Sequence, residues 1–121
     1  MELQNKTVLF LGDSITEGVG VSAPDKSFVS VFGKLTHVNT VNYGISGTRI
    51  ARKAIPSACA SWDMDFLMRV DGMQPEADLV VIFGGTNDFG HGDAELDCFS
   101  SRDAYRSDSC PNSAIIFCGK I

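Results

Sequence analysis

Three short apolar runs, each of strand length and each ending in a polar loop that contains glycine, constrain this chain more than anything else in it. Lys6 to Leu11 is nearly continuous in apolar residues and stops at Gly12-Asp13-Ser14. His37 to Tyr43 alternates and is β-branched, and it runs into Gly44-Ile45-Ser46-Gly47. Ala77 to Phe83 ends in Gly84-Gly85-Thr86-Asn87-Asp88. Apolar runs of this kind fit strands buried on both faces, as parallel strands are. Between them lie helical patterns. Pro24 and Asp25 open one, with Phe28, Val31, Phe32 and Leu35 as its apolar stripe. Trp62, Phe66, Leu67, Val70 and Met73 suggest a second. Strand, helix, strand, helix, strand predicts right-handed βαβ crossovers, a parallel sheet and an α/β sandwich. Sites in such sheets form beyond the carboxyl ends of the strands, so the three loops share one edge.

The bulk properties narrow the function. A chain of 121 residues is one domain at most, and 44% hydrophobic residues suffice for a core. The net charge is −5 with no basic run, which argues against a nucleic-acid partner. No apolar stretch approaches the roughly 20 residues needed to span a bilayer, so no membrane partner is expected. The amino terminus carries Glu2 and runs straight into a strand, without the basic segment and cleavage site of a signal peptide. A cytoplasmic protein is the expectation. Cys59, Cys98, Cys110 and Cys118 show no CxxC spacing, and the sequence holds only 2 His. Zinc is therefore poorly supported, and free thiols are expected rather than disulfides. No metal and no organic cofactor is expected.

Read alone, Ser14 after a buried strand fits a helix N-cap better than a nucleophile. Phosphate binding lacks its signature, since neither GxGxxG nor GxxxxGK[ST] occurs. There is no GxSxG elbow either, so the α/β-hydrolase fold is not indicated. The other two loops change the balance. Acyl transfer needs a nucleophile and donors aimed at the developing oxyanion; backbone amides and an Asn side chain are typical. Ser, Gly and Asn at three neighbouring strand ends make that set.

At these residues the sequence resembles a family. GDSIT at 12–16, NYGISG at 42–47 and GGTND at 84–88 look like the first three motif blocks of the SGNH hydrolases, also called GDSL esterases and lipases. The resemblance covers roughly residues 5–93. It implies a flavodoxin-like three-layer α/β/α fold and hydrolysis of a small acyl or acetyl ester. By the same resemblance Ser14 is the nucleophile, and the Ser14 amide, Gly47 and Asn87 form the oxyanion hole. Asp13 would brace the nucleophile loop and Asp88 the third loop. Gly44 reads as a backbone turn rather than a donor, a choice that rests on the family pattern.

The family's late Asp-x-x-His, which supplies the general base, has no counterpart after residue 93, where the sequence contains no His. A serine hydroxyl is a poor nucleophile until a base takes its proton. The expectation is an incomplete single domain over 1–121, with an atypical tail at 94–121, from a truncated or frame-shifted product. About 70 to 100 further residues would complete an ordinary domain. His37 reads as a surface or capping residue. His91 completes a literal Asp88-x-x-His91 on the third loop; it is either a loop residue contacting substrate or backbone, or a substitute base. Thr48 and Arg49 read as caps of the next helix, with Arg49 also able to face substrate. Glu17 reads as first-turn dipole compensation, and Cys59 as a small helix-packing residue. Ending after the third strand would leave its apolar edge open to self-association unless 114–118 forms a covering strand. Beside the esterase stand a non-catalytic remnant that keeps an oxyanion- or acyl-binding edge and, more weakly, a flavodoxin-like nucleotide binder.

Overall fold

The computed structural model describes residues 2–91 and the backbone of 115–119. Its elements in chain order are β1 (Thr7–Gly12), α1 (Ser14–Glu17), a 3-10 turn (Pro24–Lys26), α2 (Phe28–Thr36) and β2 (Asn39–Gly44). A second 3-10 turn (Ala60–Asp63), α3 (Phe66–Val70), β3 (Leu79–Gly84), α4 (Thr86–His91) and β4 (Ile115–Gly119) follow. The strands form one open sheet in the order β2-β1-β3-β4. β1 pairs in parallel with β2 and with β3, so Gly12, Gly44 and Phe83 end level with one another. This is the α/β fold expected from the alternation, and the three loops do share one edge.

β1 is the centre of the molecule. Val8, Leu9, Phe10 and Leu11 are all buried, although successive strand residues face opposite sides. Both faces of the sheet are therefore covered at β1. On one face Val8 and Phe10 meet Val29 of α2, with Val38 and Leu79 completing the cluster. Phe10 also meets the rings of Phe28 and Phe32 edge-on, at 5.8 and 5.5 Å. α2 is started by Ser27, whose hydroxyl accepts from the Ser30 amide, and ended by His37 in the left-handed region. His37 is thus a cap and not the first residue of β2.

Two expectations are corrected. The buried stripe of α2 is rotated toward Val29, and Leu35 is 77% exposed. The helix expected from Trp62 to Met73 is broken in two. Asp65 restarts it by accepting from the Met68 amide, and only five residues follow before Asp71. Gly72 and Pro75 end it where helix propensity fails. Its buried members are Phe66 and Arg69, whereas Leu67 is 80% exposed. The three expected strands are parallel, and β4 pairs antiparallel with β3. A strand near 114–118 was expected to cover the β3 edge, and β4 does so one residue later. The rest of the 94–121 tail, with Cys98 and Cys110, lies outside the described residues. No helix among the described residues is long and apolar enough to cross a membrane.

Two glycines set how closely the site edge packs. A Cβ on Gly44 would lie 2.1 Å from the Glu17 nitrogen, and one on Gly12 would lie 1.9 Å from the Thr16 hydroxyl oxygen. α1 thus sits directly on the ends of β1 and β2. The obstacle at Gly44 is backbone, which cannot swing aside. Gly44→Ala should cost about 3 kcal/mol or more, the upper end for overpacking. Urea denaturation checks this, and a midpoint equal to that of the native chain would refute the close contact.

Candidate active site

Ser14 is the first residue of α1, and the cap of that helix is Asp13. The Asp13 carboxylate accepts from the Ile15 amide at 2.9 Å. Ser14 is thereby relieved of the capping role that its sequence position suggested, and its hydroxyl has no hydrogen-bond partner among the described residues. It opens onto a cleft of about 590 Å³ whose walls include Gly47, Arg49, Trp62, Asn87 and His91. The structure thus brings Ser14, Gly47, Asn87 and His91 to one cavity from three separate loops.

Each oxyanion candidate can be followed to its support. Gly47 has φ of 77°, in the left-handed region, and a Cβ there would lie 2.3 Å from Trp62 Cδ1. Only glycine fits this position without strain. Its amide and the Ser14 amide have no acceptor among the described residues; Ser14, as a first-turn residue, has no intrahelical one available. Asn87 lies in the first turn of α4 and donates one side-chain proton to the Thr48 carbonyl at 2.9 Å, which leaves its second proton for a ligand. Gly44 is differently occupied: its amide donates to Asn42 Oδ1 at 2.8 Å. Asp88 accepts from the Ile50 and Ala51 amides at 3.0 and 2.8 Å, so it ties the third loop to the segment after the second.

Several residues do more than the sequence suggested. Glu17 accepts from the Ser46 amide at 2.7 Å and from the Ser46 hydroxyl, so it anchors the second loop rather than simply facing a dipole. Thr48 is buried, and its hydroxyl donates to the Ile45 carbonyl. Arg49 is 3% exposed, pairs with Asp63 and donates to the Trp62 carbonyl, and it still borders the cleft. Cys59 lies outside any α-helix, with its sulfur 3.0 Å from the Ser61 hydroxyl, which lowers the thiol's pKa. The packing role expected of it in a helix is corrected. The residue missed altogether is Arg69. A cation inside an apolar helical stripe was the available signal.

Asp13 is 1% exposed, and its second carboxylate oxygen has no partner. Burial raises its pKa, with a further push from the charge of Asp88; the Ile15 amide and Arg69 oppose the rise. A carboxyl raised in the folded state holds its proton to higher pH than in the unfolded chain. Its contribution to stability is then full below the unfolded value and is lost as pH rises through the folded one. Asn caps a helix as well as Asp does and does not titrate. Relative to the native chain, Asp13→Asn should therefore be more stabilising at about pH 7 than at about pH 4, near the ordinary Asp range. Urea melts of both proteins at the two pH values test this; a pH-independent difference would count against the assignment.

The sequence matches the GDSL-like lipase/acylhydrolase family over residues 10–115, and the chain belongs to that family. One solved crystal structure is 38% identical, with a TM-score of 0.60, and is aligned over 74% of this chain and 40% of its own. A carbohydrate acetylesterase family member from Sinorhizobium meliloti is 28% identical, with a TM-score of 0.54 over 69% of this chain and 43% of its own. AlinE4, a SGNH-hydrolase family esterase, shares the fold at 22% identity and a TM-score of 0.53, over 71% of this chain and 43% of its own. The chain thus spans about two fifths of the length of the solved structures it matches. No curated protein matches it.

Proposed function

We propose that this chain carries the acyl-transfer centre of a serine ester hydrolase that acts on a small acyl or acetyl ester. The observation that carries the reading is the convergence of Ser14, Gly47 and Asn87 on one cleft, with two free amides and one free Asn proton. Family membership and the esterases among the similar structures support the same reaction class.

In this reading Ser14 Oγ attacks the ester carbonyl carbon. The negative charge that develops on the carbonyl oxygen is met by the Ser14 and Gly47 amides and by Asn87 Nδ2. The ester C–O bond then breaks, the proton taken from Ser14 passes to the departing oxygen so that the alcohol leaves, and water attacks the acyl-Ser14 ester, releasing the acid and restoring the serine hydroxyl. Donors fixed before reaction need no reorganisation as the charge appears, and loss of one costs about 100- to 1,000-fold in rate. Of the two His in the sequence, His37 caps α2 and His91 borders the cleft. Among the described residues, His91 is the imidazole at the cleft and the candidate to take the Ser14 proton. The competing reading is a cleft that binds an oxyanion or acyl group without turning it over. One observation favours it: no hydrogen bond joins His91 to Ser14 among the described residues.

A fluorophosphonate probe separates the two, because it labels only an activated hydroxyl. The expected result is labelling of the native chain at Ser14, none in Ser14→Ala, and a loss of about 100-fold or more in Asn87→Ala. Native protein that stays unlabelled would sink the hydrolase reading. His91→Ala should slow labelling by about 100-fold or more if it is the base; an unchanged rate would exclude it.

A further inference from the structure

We propose that Arg69 is the positioning residue that holds the nucleophile loop and both oxyanion loops in register, an inference that rests on the reading of the cleft above. Arg69 comes from α3 and lies in none of the three loops. It does not border the cleft, so it is not a catalytic residue. Its guanidinium nevertheless reaches the ends of the first two strands and Thr48 after the second loop, and through Thr48 it is linked to the third loop. Nη1 donates to the Gly12 carbonyl at 3.1 Å and to the Thr48 hydroxyl oxygen at 2.9 Å. Nη2 donates to the Tyr43 carbonyl. Gly12 precedes Asp13-Ser14, Tyr43 is the penultimate residue of the strand that leads to Gly47, and the carbonyl of Thr48 receives Asn87 at 2.9 Å. One planar group thus spans the ends of β1 and β2 and reaches the loop after β3 through a single residue.

The Gly12 carbonyl is where these ties meet. Besides Arg69 it accepts from the Ile45 amide at 3.1 Å, and the Thr48 hydroxyl oxygen lies 3.3 Å away. Arg69 is 8% exposed, and the face of Phe66 lies 5.6 Å from its charged carbon. Burying a cation is costly, and a well-packed apolar residue would serve bare stability as well. What an apolar residue cannot do is satisfy carbonyls from two strands and a hydroxyl at fixed mutual distances. Arginine presents five donors in a rigid fork, whereas lysine is a point charge with a mobile head. The charge of Arg69 also attracts the carboxylate of Asp13, the cap of the helix that Ser14 begins.

The test uses Arg69→Lys, which keeps the charge, and Arg69→Met, which removes it. Fluorophosphonate labelling at Ser14 gives a noncovalent affinity and a rate of bond formation. Misplaced reacting groups cost about 100-fold for a shift near 1 Å. Both variants should therefore lose about 100-fold in bond formation while affinity stays within about threefold, since no residue lining the cleft is substituted. In parallel, ¹H–¹⁵N spectra should show shifts at the Gly47 amide and the Asn87 side chain, with Val29 and Val38 undisturbed. Native bond-formation rates in both variants, or unmoved Gly47 and Asn87 signals, would overturn the proposal. Failure of Arg69→Lys to fold would do so too, since the residue would then be plainly structural. Native protein that does not label counts against the hydrolase reading alone, and the spectra then decide the role of Arg69.

Discussion

Everything at the site edge depends on how closely α1 is pressed onto the strand ends. Backbone meets backbone where Gly44 faces Glu17, and Gly12 lies against Thr16. No Cβ is tolerated at either contact. The approach is made possible by the parallel register, which ends β1 and β2 at the same level. Because α1 begins two residues after β1 ends, Ser14 has no freedom to drift from the neighbouring loops. The short connection and the two bare Cα atoms are one constraint, and the cleft is its result.

A second layer consists of polar side chains that join the loops. Asp88 ties the third loop to residues 50–51, Glu17 ties α1 to Ser46, and Asn87 reaches back to Thr48. These ties run between segments far apart in sequence and mostly engage backbone groups. Backbone partners fix position without requiring a particular side chain at the far end. Asp13 is an exception in one respect: one of its oxygens is buried without a partner. That leaves a charged form which the fold accommodates only at a cost.

The sheet and its site edge were legible in the sequence because they follow period and punctuation. Apolar runs of strand length, broken by glycine, announce parallel strands, and three such breaks announce a shared edge. The β3 cover near residue 115 was legible from a short apolar run, but its direction was not, since apolar runs carry no polarity. The helices were read less well. Asp65 has a strong local preference for capping, which overrode the longer apolar period around it, so one expected helix became a turn and a short helix. The resemblance located Ser14, Gly47 and Asn87, and the structure brings them to one cavity. It gave no hint of Arg69, because two of that residue's three partners are backbone carbonyls, which every sequence position possesses.

The central place of β1 has a kinetic consequence. Its two neighbours, β2 and β3, both come later in the chain, and Val8 pairs with Thr40 on one side and Leu79 on the other. None of the three loops is close in sequence to the next. Such long-range pairings fold slowly, since loop closure precedes the contacts that reward it. A growing chain therefore holds Ser14 early, can set Gly47 beside it once β2 has paired with β1, and gains Asn87 only after β3 has emerged and docked. The three donors come together only at that last docking.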